Sequence, residues 1–294
     1  MTPTRHSIIG IDLGGTKIAI ARFDEKTMER LDMKIIETPK TSYEEVEVAV
    51  LDVIDSMKTA DTIGIGIGVP GLVDRASGVI KTMPNIPGSE NRDLATIIKK
   101  ETGLSVVIAN DAGCFALAEA IFGAGKDHRV VIGITMGTGV GGGIVIDQKL
   151  FTGAHGFAGE IGHMLLKPGE PPYPTKDLRG DVEQFLSGTA MGRRCNSAKK
   201  PQDYLEGEVC EWMRPEIFRE VAWMITSLTH VIDPDIIVFG GSAGRALKPH
   251  VEEIKKELKQ WMLPGSSIPE LAIGYLDDAA VRGAAMLMDT KCQN

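Results

Sequence analysis

The chain has 294 residues, 43% of them hydrophobic and 24% charged, with a formal net charge of −8. That is the composition of a soluble globular protein with ample core, long enough for two ordinary domains or one large α/β domain. The acidic balance excludes nucleic acid as the main partner, and no apolar run reaches the roughly eighteen residues a membrane helix needs. A phosphorylated ligand is not excluded, because backbone N–H groups hold phosphate without any lysine.

Period-two alternation makes "SIIGIDL" and "KIAIARF" two strands joined at Gly14-Gly15 as a β-hairpin, with "MKIIET" a third strand. "YEEVEVAVLDVIDSMK" places Val46, Val50, Val53, Ile54 and Met57 on one helical face. A buried strand "TIGIGIGV" follows, then a helix "NRDLATIIKKETG" that Gly103 caps. "LSVVIAN" is a strand, and "DAGCFALAEAIFG" a helix opened by an acid.

A second series starts near Val130, where "RVVIGITM", a glycine turn and "GGIVIDQ" repeat the opening hairpin. After an irregular loop, helices are predicted at 181–190 and 215–232. Then come a strand "DIIVFG", the helical "SAGRALKPHVEEIKKELKQ", a short strand "ELAIGY" and a terminal helix "DAAVRGAAMLM". The order predicts an α/β protein of two similar lobes with a cleft between them. The start lacks the apolar core and cleavage site of a secretory leader. Cys114, Cys195, Cys210 and Cys292 are scattered without a CxxC pair, which predicts reduced thiols in a cytoplasmic protein.

Several stretches carry chemistry. "GIDLGGTK" approaches a phosphate-binding P-loop, but it ends Thr16-Lys17 and runs into a strand where a P-loop needs a helix. What remains is a tight turn whose bare backbone can approach a phosphate, with Asp12 beside it for Mg²⁺, or an ordinary hairpin with a surface Asp. "GTGVGGG", Gly137 to Gly143, has five glycines in seven residues. Each glycine costs backbone entropy of about 0.5–1 kcal/mol against alanine, so a second phosphate cradle is a better account than a loose hairpin. Asn110 and Asp111 stand where an apolar strand meets a helix, as a helix cap or as a carboxylate at the ligand-binding end of an α/β sheet. Glu160 and His163, three apart in "GEIGH", can face one way on a helical turn.

Taken together, "IGIDLGGTKIAIARFD", "GIGVPGLVD", "ANDAGCFALAE", "GTGVGGGIVID", "GEIGHM", "EQFLSGTA" and "IIVFGGSAGRA" resemble, in this order, the ROK family. That family comprises bacterial and archaeal sugar kinases and related repressors within the actin-like ATPase superfamily. The resemblance implies two actin-like (ribonuclease H-like) lobes around a cleft. Residues 1–118 would form a small lobe and 119–276 a large one, with a terminal helix at 277–294 packing back on the first. It implies ATP-dependent phosphorylation of a hexose, glucose being the first candidate, with Asp111 as general base. Gly71, Asn110, Asp111, Glu160, His163 and Glu183 match sugar-contacting positions. Asp12, Gly14, Gly15, Thr16 and Lys17 resemble the first phosphate loop, Thr138, Gly139 and Gly141 the second, and Gly240 and Gly241 the adenosine-side turn. Mg²⁺ would accompany ATP near Asp12. A homo-oligomer, dimeric as in many relatives, is implied as well.

One departure concerns a metal. Many family members place a CxCGxxGC cluster before the glutamate matching Glu183, and three of its cysteines bind zinc together with the histidine. "PPYPTKDLRGDVE" offers Tyr173, Thr175 and Asp181 instead, and hydroxyls are poor zinc ligands beside thiolate, so no structural zinc is expected. Pro168, Pro171, Pro172 and Pro174 would stiffen the loop in its place. The rival substrates are an N-acetylhexosamine or fructose, and the rival class is a non-catalytic sugar sensor. A DNA-bound repressor is disfavoured, because the first hairpin begins within ten residues of the start and leaves no room for a helix-turn-helix.

Overall fold

The structure is a computed structural model that describes residues 6–74, 77–84, 86–198 and 202–292. The chain forms two compact units: Met1–Ala118 with Gln148–Gly159 and Leu276–Asn294, and Glu119–Asp147 with Glu160–Tyr275.

In the first unit, β1 (Ser7–Leu13), β2 (Lys17–Asp24) and β3 (Arg30–Glu37) form an antiparallel meander. Helix α1 (Tyr43–Met57) follows; Ser42 caps it by accepting from Glu45 N–H, and its predicted apolar face is buried. Next come β4 (Thr62–Val69), a small hairpin of β5 (Leu72–Val73) and β6 (Ile80–Thr82), and α2 (Leu94–Thr102). Gly103 ends α2 in the left-handed conformation, at φ 73°. Strand β7 (Ser105–Asn110) leads into α3 (Asp111–Phe122), and the boundary between the units falls inside α3. The sheet order is β3-β2-β1-β4-β7, with β1, β4 and β7 parallel.

The second unit opens with the antiparallel pair β8 (Val130–Met136) and β9 (Val140–Ile146). The chain then returns to the first unit with β10 (Lys149–Phe151). The second unit resumes with a 3-10 turn at Ile161–His163, α4 (Val182–Leu186), α5 (Gly188–Arg194) and α6 (Gln202–Leu205). It continues with α7 (Arg214–Ile232), β11 (Ile236–Gly240), α8 (Gly241–Ala246), α9 (Val251–Leu258) and β12 (Glu270–Ile273). Helix α10 (Ala279–Met286) belongs to the first unit. Strand β8 lies between its antiparallel partner β9 and the parallel β11, which pairs in turn with β12, so the arrangement of β2-β1-β4-β7 recurs.

The alternating "GIGIGIG" of β4 has a packing reason. Ile65 and Ile67 enter the core with Ile9, Ile11 and the apolar face of α1. The glycines leave the other face bare for close helix approach: a Cβ at Gly10 would strike the carbonyl of Val281, and one at Gly66 that of Ala284, both on α10. Among the described residues, no helix is long and apolar enough to cross a membrane.

The structure departs from the sequence reading in several places. Residues 148–159 group with the first unit, not with 119–276, and Leu150 packs its side chain toward Gly113 of α3. The helix predicted at 181–190 is two helices, because Ser187 ends α4 and its hydroxyl then caps α5 by accepting from Ala190 N–H at 3.0 Å. The predicted helix after β11 breaks into α8 and α9 at a 3-10 turn holding Pro249, which has no N–H to continue the ladder. The four cysteines are not all reduced thiols. Cys195 and Cys210 form a disulfide, because the chain doubles back through α6 and brings their Cα atoms to 6.1 Å. Cys114 and Cys292 are free and buried.

Candidate active site

In the first unit the candidate residues gather at the carboxyl ends of the parallel strands, where open α/β sheets bind ligands. Asp12 of β1 pairs with Gly68 of β4, and Gly68 with Ala109 of β7, so Asn110 and Asp111 follow directly at that end. A Cβ on Gly68 would lie 3.3 Å from Asp111 Cα and from Cys114 Sγ, so α3 starts hard against β4. Burial pushes the Cys114 thiol well up, and the charges of Asp111 and Asp12 add to the rise. Burial likewise raises the Asp12 carboxyl from 3.8 to about 6, against the pull of Lys17. No donor is paired with the Asp12 carboxylate among the described residues.

The side chain of Asn110 caps α3: its Oδ1 accepts from Ala112 N–H at 2.9 Å and Gly113 N–H at 3.2 Å. Its Nδ2 donates to the carbonyl of Gly71 at 3.1 Å. Gly71 sits at φ 105°, and a Cβ there would strike the Thr82 carbonyl, so this turn requires glycine. The cap reading therefore holds for Asn110, while Asp111 follows it at the carboxyl end of β7. Asp111 Oδ1 accepts from Ala112 N–H at 2.8 Å.

Between β1 and β2, Gly14 N–H donates to the Lys17 carbonyl at 3.0 Å, and Thr38 binds the Gly14 and Thr16 carbonyls from behind. The N–H groups of Gly15 and Thr16 have no acceptor among the described residues. Successive N–H groups without an acceptor in a turn can form an anion-binding concavity.

The second unit repeats the device. In the β8–β9 turn, Gly137 N–H donates to the Gly139 carbonyl at 2.9 Å, and the N–H groups of Thr138 and Gly139 have no acceptor among the described residues. Gly188 N–H and the Thr189 hydroxyl tie down the carbonyls of Gly137 and Thr138, at 2.7 and 2.8 Å. Gly141 is not in this turn: it lies inside β9, paired with Thr135. Gly240 pairs with the same Thr135 at the end of β11, and Gly241 opens α8 at φ 74° with its Cα packed on the Met136 backbone.

Glu160, His163 and Glu183 also belong to the second unit. Glu160 precedes the 3-10 turn that ends at His163, and His163 N–H donates to its carbonyl at 3.1 Å. Burial raises the Glu160 carboxyl; His163 lowers it and Glu183 raises it, so the three side chains lie within electrostatic reach of one another. Glu183 Oε2 accepts from Val140 N–H at 2.9 Å and packs against the bare Cα of Gly139, linking α4 to the second glycine turn. Nothing in the sequence reported that link, which joins residues 43 apart.

Of the positions standing where the family keeps cysteines, Tyr173 lies under the Arg193 guanidinium at 5.0 Å, and Thr175 Oγ1 accepts from Asp177 N–H at 3.2 Å. The third, Asp181, lies 3.4 Å from His163 Nδ1. Among the described residues, no three His, Cys, Asp or Glu side chains are grouped to hold a metal.

Known proteins are similar to this chain over nearly its whole length. A glucokinase of Thermotoga maritima is 28% identical, covering 96% of this chain and 96% of its own. An N-acetyl-D-glucosamine kinase of Photobacterium profundum is 30% identical over 95% of this chain and 98% of its own. The crystal structure of a ROK family glucokinase from Streptomyces griseus, in complex with glucose and AMPPNP, superposes with a TM-score of 0.77 at 31% identity. It covers 96% of this chain and 98% of that one. The ROK family model itself matches residues 8–291, from the first strand to beyond the last helix, and the chain belongs to the ROK family.

Proposed function

We propose that the protein is an ATP-dependent sugar kinase that transfers the γ-phosphoryl group of ATP to a hexose, yielding sugar 6-phosphate and ADP, with glucose the first candidate. The observation that carries this reading is the pair of glycine turns, each presenting two adjacent backbone N–H groups without an acceptor among the described residues. Phosphoryl transfer needs little beyond positioning, charge neutralisation and one carboxylate to orient the nucleophile. Gly15 and Thr16 in one turn and Thr138 and Gly139 in the other hold phosphate oxygens. Gly240 and Gly241 allow the nucleotide to approach the backbone. The unpaired, desolvated carboxylate of Asp12 suits the Mg²⁺ that arrives with ATP as substrate and offsets phosphate charge.

Asp111 takes the proton of the attacking hydroxyl. Gly71, Glu160, His163 and Glu183 pair with sugar hydroxyls, since each buried hydroxyl left unpaired costs about 1–3 kcal/mol. Asn110, mostly engaged by the cap and Gly71, has one Nδ2 hydrogen for the sugar. The protein works in the cytoplasm as a homo-oligomer, a dimer first.

An N-acetylhexosamine acceptor is the second reading, favoured by the N-acetyl-D-glucosamine kinase of Photobacterium profundum at 30% identity. An ADP-release assay with Mg²⁺–ATP and a panel of hexoses, N-acetylhexosamines and fructose separates the two. Asp111→Asn is expected to lower kcat by about 10²–10⁴-fold. Turnover within a few-fold of wild type would remove Asp111 as base, and no turnover on any sugar would favour a sensor.

A further inference from the structure

We propose that Asp181 is a positioning residue that locks His163 in the tautomer protonated at Nδ1, leaving the Nε2 lone pair to accept a hydrogen bond from a sugar hydroxyl. The hydroxyl partner rests on the kinase reading above; the tautomer does not. His163 Nδ1 lies 3.4 Å from Asp181 Oδ2, with the Asp181 side chain 1% exposed and that of His163 50% exposed. An ionised carboxylate can only accept, so the ring nitrogen facing it carries the hydrogen, and the other nitrogen of the neutral ring is then an acceptor.

Asp181 is itself held on all sides. Arg179 Nη1 stands 3.4 Å from the same Oδ2 and supplies the countercharge, while Asp177 grips the Arg179 guanidinium at 2.7 Å. The other carboxylate oxygen accepts from Gln184 N–H at 3.1 Å and so caps α4, the helix that carries Glu183. Gln184 closes the ring, its Oε1 accepting from Gly180 N–H at 2.7 Å and its Nε2 donating to the Asp177 carbonyl at 3.0 Å.

Backbone pairs then zip the two limbs of the loop. Val182 N–H donates to the Met164 carbonyl at 2.9 Å, and Leu166 and Lys167 N–H both donate to that of Gly180 at 2.8 and 2.9 Å. One buried carboxylate therefore ties the ring of His163 and the start of the Glu183 helix to the same point. The brace is built from hydrogen bonds at the loop's neck, where Pro168 directly follows Lys167 and lies against Gly180. Partners that set the orientation of a metal-bound histidine through its second nitrogen typically change activity 10–100-fold when lost, and the same order is expected for a histidine that binds a hydroxyl.

The test is a long-range ¹⁵N–¹H correlation spectrum of the full-length protein labelled at histidine, taken at alkaline pH, with His163 assigned by His163→Gln. The wild type is expected to show His163 protonated at Nδ1. Asp181→Asn retains a capping oxygen, because Asn serves as well as Asp at an N-cap. Its amide can donate to Nδ1, so the Nε2-protonated form should appear, the sugar KM should rise about 10–100-fold, and kcat should stay within about 3-fold. Wild-type His163 protonated at Nε2 would overturn the proposal, as would an Asp181→Asn variant with unchanged tautomer or unchanged KM. The spectrum needs no turnover. A wild type with the stated tautomer and no activity on any sugar would sink the kinase reading and leave the Asp181–His163 assignment in place.

Discussion

Asp12 offers a quantitative test of the first phosphate turn. Its carboxyl is raised from 3.8 to about 6, chiefly by burial at the end of β1. A folded-state value above the unfolded one means that the native protein keeps a proton where the unfolded chain has lost it. Stability from this group is therefore lost as pH rises from 3.8 toward 6, and the full penalty stands above 6. At about 1.4 kcal/mol per pH unit the penalty approaches 3 kcal/mol, and about 2 kcal/mol is the working figure for a side chain that solvent still reaches. Asp12→Asn removes the charge at nearly constant shape. Urea unfolding of both proteins with chelator present, from pH 4 to pH 8, should give curves that agree at the acid end. They should diverge until the variant is more stable by about 2 kcal/mol at pH 8. Mg²⁺–ATP should stabilise the wild type more than the variant, because only the wild type binds the complex with its carboxylate, and the variant's kcat/KM for ATP should fall. A variant equal to or weaker than wild type at pH 8 would refute the claim that this carboxylate is held desolvated for a cation.

Three further outcomes are expected. Arg194→Met should cost about 3–5 kcal/mol at pH 8, because Arg194 donates to both carboxylate oxygens of the fully buried Glu220 at 2.6 and 3.1 Å. Burial already raises Glu220 to about 7 with Arg194 lowering it, and losing Arg194 raises it further. The deficit should therefore shrink as pH falls toward 7, where the variant's carboxyl takes up a proton that the wild type's does not, and level off below; a deficit constant from pH 8 to pH 7 would contradict this. Gly241→Ala should destabilise by about 1–3 kcal/mol and raise the KM for ATP, since φ is 74° and a Cβ would strike the Met136 backbone; unchanged thermal unfolding would count against it. Thiol titration of denatured, unreduced protein should find Cys114 and Cys292 reactive, and Cys195 and Cys210 only after reductant. Four reactive thiols before reduction would rule out the disulfide.

How much of this was legible in the sequence follows from the range of each interaction. Alternation in "SIIGIDL" and "KIAIARF", the apolar face from Val46 to Met57 and the capping Gly103 are local signals, and the strands and helices lie where those signals put them. The order of the seven quoted segments carried the family, because their glycines allow backbone approach that few other residues do and their acids are spaced among them in a fixed order. Local signals failed where a cap or a proline intervened, as at Ser187 and Pro249. Partnership across long separations was not legible at all. The Glu183 contact with Val140 N–H, the pairing of Cys195 with Cys210 and the association of residues 148–159 with the first unit each need the chain to fold back. Asp181 shows the division most plainly. Sequence alone marked it as a position without the family's cysteine, whereas the tertiary structure set its carboxylate against His163 Nδ1 and the first turn of α4. Residue type determined which atoms could bond, and only packing determined which of them met.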